Sequence, residues 1–308
     1  MSPAAAPTLS VVVPVYNEAG NVAPLFTEIH AVMSTLHRPF EVIFVNDGST
    51  DATLAQLRQV AADHPVLRIL DLDGNFGEAA ALCAGFQAAR GAVVITLDGD
   101  GQNDPHDIPR LLTLLESNSY RAVSGWRQER QEGLLLRILP SRIANRLIIA
   151  VSGVPVHDCG CGLKVYRRAV VEHAALPRGM NRFLPAILGV RADEIAEVPV
   201  NDRRRQHGQS HYGINRTVIV LRDLLALRQM IVAPRTSEWA TLVVGLLGLL
   251  VFGFACWTGA IGLAVGTGVL LVVCGLTIWN LHRFNQAQRH GVFRVREEYA
   301  GAEHREQA

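Results

Sequence analysis

The chain has almost no surplus of either charge: 29 lysines and arginines face 28 acids in 308 residues, a net of +1. Nonspecific affinity for phosphate polymers comes from a clustered basic excess, so no nucleic acid is expected as a partner, and any anion must be met by local groups. Cysteine is scarce and odd in number, at Cys83, Cys159, Cys161, Cys256 and Cys274, with no CxxC spacing. That excludes a disulfide framework and a zinc ribbon, and predicts reduced thiols in a cytosolic redox setting. The opening "MSPAAAPTLS" has neither a basic n-region nor an apolar h-region, so it does not read as a secretory leader. The first strand-to-helix junction, "PVYNEAGN", lacks the glycine fingerprint that seats a dinucleotide pyrophosphate, which excludes a Rossmann dehydrogenase. No nucleophile elbow and no Cys and His pair in context support acyl chemistry.

Formal charge is also missing from Trp239 to Leu281, and that gap is informative. "WATLVVGLLGLLVFGFACW" and "TGAIGLAVGTGVLLVVCGLTIW" are each close to the roughly 20 residues that cross a bilayer as a helix. The break at Thr258 and Gly259 makes them a membrane hairpin; a buried soluble helix pair would carry a polar stripe. Trp239, Trp257 and Trp279 mark the run ends, where indoles favour the interface. Arg222, Arg228 and Arg235 precede the hairpin and Arg283, Arg289, Arg294 and Arg296 follow it, so the positive-inside rule predicts a multi-pass membrane protein with catalytic domain and both termini cytoplasmic. Gly245, Gly248, Gly262, Gly266 and Gly268 permit close helix packing, in the hairpin or in a homo-oligomer.

The first half alternates β-branched runs with helical patterns: "LSVVVPVY", "NVAPLFTEIHAVMSTL", "FEVIFVND", "DATLAQLRQVAAD", "VLRILDL", "GEAAALCAGFQAARG", "AVVITLD". This order predicts an α/β fold, a doubly wound, mostly parallel sheet with helices on both faces. A strand "YRAVSGW", a helix from about Leu134 to Val151, a strand and helix in "GLKVYRRAVVEH" and a strand "EIAEVPV" follow. In "INRTVIVLRDLLALRQMIV" polar residues recur on one face, which predicts an amphipathic helix at the bilayer surface, against the alternative of a helix packed on the sheet. The expected division is a catalytic domain over 1–211, the interface helix over 212–233, the hairpin over 237–282 and a polar tail over 283–308 that frays.

Ligands of such sheets gather at the carboxyl ends of the strands. Three ends carry polar clusters: Tyr16-Asn17-Glu18, Asn46-Asp47-Gly48-Ser49 and Asp98-Gly99-Asp100. In the "LDGDGQND" stretch Asp98, Asp100 and Gln102 alternate onto one side, either as a tight turn or as hard oxygen donors for Mg²⁺ or Mn²⁺. Asp104 follows close behind. Asp51 or Thr50 caps the next helix, which leaves the Asp47 carboxylate free for a nucleobase N–H; Tyr16 can stack on a base and Glu18 accept a hydrogen bond, unless Asn17 or Glu18 only caps a helix.

Taken in order, "VVVPVYNE", "VIFVNDGSTD", "GNFGEAAALCAGFQAARGAVVITLDGDGQND", "CGLKVYRR" and "RRRQHGQSHYG" resemble the inverting family 2 glycosyltransferases of the GT-A fold, within them the polyprenyl-phosphate group typified by dolichol-phosphate mannose synthase. The resemblance covers roughly residues 8 to 232, and the hairpin matches members with two transmembrane helices. It implies a nucleotide-sugar donor, UDP- or GDP-linked, a polyprenyl phosphate acceptor (undecaprenyl or dolichyl), and Mg²⁺ or Mn²⁺ as cofactor. Pro14, Tyr16, Glu18 and Asp47 match the base-binding set, Asp98 the acid near the ribose, and Asp100 and Gln102 the metal ligands. Arg127 matches the arginine after the next strand, Arg137 and Ser141 the acceptor-phosphate motif, and Arg205, Gly208 and Ser210 the motif that reaches across the phosphates. Three positions depart from the pattern: Glu78 follows "NFG" where Lys or His is usual, "GLK" places Lys164 where "GFR" is common, and His211 replaces a lysine.

The chemistry follows from the acceptor. A polyprenyl phosphate is already an anion and needs no strong general base; alignment, relief of phosphate repulsion and neutralisation of the leaving group remain to be supplied. Two other readings compete: a membrane transferase acting on another lipid or glycan, disfavoured by the lack of a long polymer-synthase membrane domain, and a silent scaffold with a vestigial nucleotide domain, disfavoured by intact Asp98, Asp100 and Gln102.

Overall fold

A computed structural model describes residues 6–128, 146–204 and 215–300. Its centre is four parallel strands, β1 (Leu9–Val15), β2 (Phe40–Asn46), β3 (Leu67–Leu72) and β4 (Val93–Thr96), in the spatial order β4-β1-β2-β3. Inner strands covered on both faces are apolar throughout, which is why "VVVPV" and "VIFV" show no alternation. Beyond β4 the sheet turns mixed. β6 (Lys164–Arg167) pairs antiparallel with β4 and with β5 (Ala122–Trp126), and β7 (Ile195–Pro199) runs parallel to β5 at that edge.

Helices cover both faces. On one side α1 (Ala19–Thr35), α2 (Thr53–Asp63) and α4 (Ile108–Ser117) close a core with Val11, Val13, Phe44 and Ile69. In α1 the buried Val22, Leu25, Phe26, Ile29, Val32 and Met33 recur at helical spacing, and burial of each such side chain contributes about 1.5–3 kcal/mol. On the other side α3 (Glu78–Ala88), α5 (Arg168–Val171) and α6 (Leu184–Ile187) pack on Val12, Ile43, Val45 and Leu70. Residues 146–152 are also helical, which agrees with the end of the helix expected from Leu134 to Val151; the rest of that span lies outside the described residues.

The second core continues into the C-terminal helices. From α7 (Asn215–Val232) it takes Leu224, Ala226, Leu227 and Met230, and from α9 (Ile261–His290) Leu281 and Phe284. Asn280 Nδ2 also donates to the Arg222 carbonyl at 3.0 Å. The amphipathic helix therefore buries one face against α9 and the second core of the sheet while Leu225 and Val232 stay exposed. With α8 (Pro234–Thr258), α9 forms an antiparallel pair whose turn is closed by Gly259 at φ 69°. Thr236–Thr258 and Ile261–His290 have mean hydropathies of 2.2 and 2.3 and are long and apolar enough to cross a bilayer. Leu246, Leu250, Trp257, Ile261 and Val265 are each more than half exposed, an apolar surface that water does not tolerate in a monomer. Within the pair, Gly248 faces Leu271 and Gly268 faces Phe252, which accounts for part of the glycine pattern inside one chain.

The tail corrects one expectation. It does not fray after Phe284: α9 runs to His290, and β8 (Val295–Ala300) adds to the far edge antiparallel to β3. Charge holds it there. Buried Arg68 on β3 bonds Glu298 (2.6 Å) and Glu41 (2.5 Å), Arg296 reaches Asp71 at 3.3 Å, and Arg58 lies over the Tyr299 ring at 4.2 Å.

Candidate active site

The carboxyl ends of β1 to β4 converge, and their loops are tied to one another. Asn17 is a non-glycine residue at φ 56°, tolerated because its Oδ1 accepts from the Thr50 amide (2.8 Å) while its own amide donates to Ser49 Oγ (2.9 Å). Asp51 accepts from the Thr53 amide (2.9 Å) and the Ala19 amide (3.3 Å), so one carboxylate serves the starts of α1 and α2. Burial acts to raise its pKa, but these bonds prevail and leave it lowered. Glu18 is buried, directly precedes α1, and accepts from Asn21 Nδ2 at 2.5 Å. Tyr16 is half-buried beside it, and Pro14 lies in β1.

Asp47 departs from expectation. Its two oxygens accept from the backbone amides of Phe76 (2.7 Å) and Gly77 (2.8 Å), and only 3% of the residue is exposed. The carboxylate is therefore not free. It clamps the "GNFG" loop between β3 and α3; burial raises its pKa, against the lowering effect of the two amides and Arg178. Through that loop it also fixes the start of α3, where Glu78 Oε1 accepts from Asn181 Nδ2 at 2.6 Å.

The acids after β4 divide into two kinds. Asp104 is structural: it accepts from the His106 amide (3.0 Å) and pairs with Arg203 (2.7 Å), capping the turn at Pro105–Asp107. Asp98 and Asp100 belong to the crevice. Gly99 presses on β1, where an added Cβ would sit 2.7 Å from the Pro14 carbonyl oxygen. Gly162 faces Asp98 so closely that a Cβ would overlap its carboxylate, and Thr96 Oγ1 donates to the Gly162 carbonyl at 2.7 Å. Burial, with Glu78 and Asp100 adding repulsion, pushes Asp98 up to about 8, while Arg127 and Lys164 pull it down. Asp100 Oδ1 accepts from the Gln102 amide at 3.1 Å, and Gln102 Nε2 donates to the Arg203 carbonyl at 3.4 Å, so the side-chain atom left for a ligand is Oε1. Asp100 Oδ and Gln102 Oε1 are hard oxygen donors, the kind a small divalent cation takes along with water and phosphate oxygens. Among the described residues no group of three His, Cys, Asp or Glu side chains gathers as a metal site.

Arg127 sits at the end of β5 and is held by a partner that pattern reading missed. Asp158, 2% exposed, takes its Nε (2.7 Å) and Nη2 (3.2 Å) in a two-point fork, with Asp202 at 3.9 Å from Nη1. Burial tends to lower the arginine's pKa, but Asp158 prevails and raises it. Lys164, also buried, donates to the Cys161 carbonyl and to the Cys159 carbonyl (3.5 Å), bracing the loop that carries Gly162. All five cysteines are free, and burial pushes Cys83 and Cys161 up to about 12 and Cys159 to about 11, so no thiolate takes part here. After β7 the backbone of Arg203 donates to the Gln102 carbonyl (2.9 Å), and Asn103 bridges Asp202, so residues 201–204 clamp the Asp98–Asp104 loop. The structure thus brings Glu78, Asp100, Lys164 and Arg127 within electrostatic reach of Asp98, with Gln102 bonded to Asp100. Arg137, Ser141, Arg205, Gly208, Ser210 and His211 lie outside the described residues.

With that geometry in place, the sequence profile of glycosyl transferase family 2 matches residues 10–174, more than half the chain. The chain belongs to glycosyl transferase family 2. Its relatives in the family include the dodecaprenyl-phosphate galacturonate synthase of Rhizobium johnstonii, 45% identical over 222 residues, which are 71% of this chain and 66% of that protein. Another is the undecaprenyl-phosphate 4-deoxy-4-formamido-L-arabinose transferase of Pseudomonas aeruginosa, 37% identical over 268 residues, covering 86% of this chain and 77% of that one. Among solved structures, glucosyl-3-phosphoglycerate synthase from Mycobacterium tuberculosis, in complex with Mn²⁺, UDP-glucose and phosphoglyceric acid, superposes with a TM-score of 0.56 at 20% identity, over 72% of this chain and 79% of that one. At that identity the likeness is one of fold, and the fold is the GT-A type of the family.

Proposed function

We propose that the chain transfers a glycosyl unit from a nucleotide sugar, UDP- or GDP-linked, to a polyprenyl phosphate at the cytoplasmic face of a bilayer, with inversion at the anomeric carbon. The observation that carries this reading is a crowded acidic strand end, Asp98 with Asp100, near a half-buried arginine in a domain whose core continues into two membrane-length helices. Both polyprenyl-phosphate relatives support the acceptor class.

The acceptor phosphate oxygen forms a bond to the anomeric carbon as the bond from that carbon to the nucleoside diphosphate breaks. No proton has to be removed from the nucleophile first. Pro14, Tyr16 and Glu18 line the donor's base side, and Asp47 serves there by holding the Phe76–Gly77 loop in place. Asp98 sits where the ribose and diphosphate enter. Asp100 and Gln102 would hold a divalent cation, Mg²⁺ or Mn²⁺, which would supply positive charge to the leaving diphosphate. Arg127, aligned by Asp158, offers its remaining N–H groups to phosphate, alongside Arg137, Ser141, Arg205 and Ser210. The α8–α9 hairpin keeps the crevice at the level of the acceptor's headgroup, with α7 at the interface and both chain ends in the cytoplasm.

The test pairs two substitutions. Asp100→Ala removes transfer and its stimulation by divalent ions; full activity in chelator contradicts the metal role. Arg137→Ala raises the acceptor KM far more than it weakens donor binding, and equal losses in both contradict its assignment.

A further inference from the structure

The cytoplasmic end of α9 carries a feature that sugar transfer does not use. Beyond Trp279 the helix continues to His290, and the Pro177–Arg178 corner of the catalytic domain folds over it. Between them lies a cavity of about 330 Å³ lined by Arg178, His282, Arg283, Gln286, His290 and Val292. Arg283 Nη2 donates to the Arg178 carbonyl at 3.1 Å, which brings the two residues together. The guanidinium of Arg283 stacks on the Trp279 indole with its Cζ 4.5 Å from the ring centroid, and Arg222 stacks on the same indole at 4.5 Å.

Among the described residues no acidic side chain lines the cavity itself. Of the acids behind it, Asp223 takes Nε and Nη2 of Arg222 on its Oδ1 at 2.9 and 2.7 Å and its charge also acts on Arg283 without a direct ion pair. Glu238 accepts from His282 at 3.1 Å and from Asn285 at 2.5 Å. Asp47 is held by the Phe76 and Gly77 amides. Among the described residues neither Arg178 nor Arg283 forms an ion pair with a carboxylate. A lining with two arginines, two histidines and no acidic residue favours an anion, and Arg283 also feels the like charges of Arg222 and Arg178.

Height decides which anion. Counting about 20 residues from Ile261 across the hydrocarbon places its cytoplasmic boundary near Trp279 to Leu281, where an indole belongs. Arg283 and the floor of the cavity then lie at headgroup level, and the exposed apolar sides of α8 and α9 below can take acyl chains. We propose that this cavity binds the headgroup phosphate of an anionic phospholipid between Arg178 and Arg283, a site distinct from the one for the acceptor phosphate; the proposal rests on the reading that α8 and α9 span the bilayer. Arg178 also donates to Asn75, on the loop that Asp47 holds, so an occupied cavity braces the donor side of the crevice.

The experiment uses the full chain reconstituted in nanodiscs. Failure to insert contradicts the membrane reading itself and is seen before any lipid is scored. In discs of equimolar phosphatidylcholine and phosphatidylglycerol, native mass spectrometry of the released protein is expected to show phosphatidylglycerol retained over phosphatidylcholine. Arg283→Gln, which removes one charge, and Gln286→Glu, which opposes it and leaves the arginines in place, each cut that preference about fivefold. Equal retention of the two lipids, or a preference unchanged in both variants, overturns the proposal. Displacement of phosphatidylglycerol by inorganic phosphate would assign the cavity to a free anion, and displacement by undecaprenyl phosphate would make it part of the acceptor site; either outcome also overturns it.

Discussion

Replacing Gly162 with alanine tests the crevice at its tightest point. The added methyl falls on the Asp98 carboxylate, whose backbone is fixed because its amide donates to Asn103 Oδ1 at 3.0 Å. Carbon and carboxylate need about 3.5 Å between them, so the carboxylate has to move by roughly 1 Å. A displacement of that size at a reacting centre lowers kcat/KM by about 100-fold, or about 2.7 kcal/mol. The fold suffers less: overpacking of about 1–3 kcal/mol lowers Tm by no more than roughly 12 °C. The assay is the initial rate of sugar transfer against donor concentration, below the Tm of both proteins. Gly253→Ala, whose new methyl has nothing within 4 Å, serves as control. A folded Gly162→Ala protein with the rate of the parent would refute the placement of Asp98 at the reacting centre.

Asp158→Ala releases the Arg127 fork, and the acceptor KM rises by up to about 100-fold with little change in donor affinity; Asp158→Asn, which keeps one acceptor oxygen, recovers part of the loss. Equal effects on both substrates would place Arg127 elsewhere. Glu41→Ala takes from buried Arg68 the inner of its two carboxylates, leaving Glu298, and deprives Ser10 Oγ and the Arg90 amide of their acceptor, so about 3 kcal/mol of stability and roughly 6–12 °C of Tm are lost in a thermal melt. At Asp104, burial acts to raise the pKa, but the His106 and Arg203 bonds outweigh it and leave the carboxyl below its usual range. A depressed folded-state pKa contributes stability above the unfolded value that is lost as pH falls through the folded one, so a pH series of melts shows a loss below about pH 4 that Asp104→Asn reduces.

Much of this architecture is readable from local pattern. Strands β1 to β4 are continuous apolar runs ending in polar clusters, and the helices between them carry apolar faces at helical spacing. The hairpin is legible for the same reason, since a long stretch without charge has few folded solutions in water. What escaped reading depends on distant partners. "VREEYA" looks like solvated tail, yet Glu298 meets an arginine 230 positions earlier. Asp158 lies in a loop with no periodicity and shows its role only when β5 brings Arg127 beside it. The acidic residue type at Asp47 announced an acceptor, but only the folded loop identifies the Phe76 and Gly77 amides as donors. Asp104 read together with Asp98 and Asp100 because the three are close in sequence; its commitment to Arg203 and His106 separates it from them.

The central claim is a glycosyl bond formed directly to a lipid phosphate. Its most direct measurement is mass spectrometry of the lipid extract after the purified full chain is incubated with a panel of UDP- and GDP-sugars, undecaprenyl phosphate and a divalent cation. The account predicts a polyprenyl monophosphate heavier by one glycosyl unit, formed only when cation and acceptor are both present. A pyrophosphate-linked product, or sugar appearing on another lipid without polyprenyl phosphate, would contradict it.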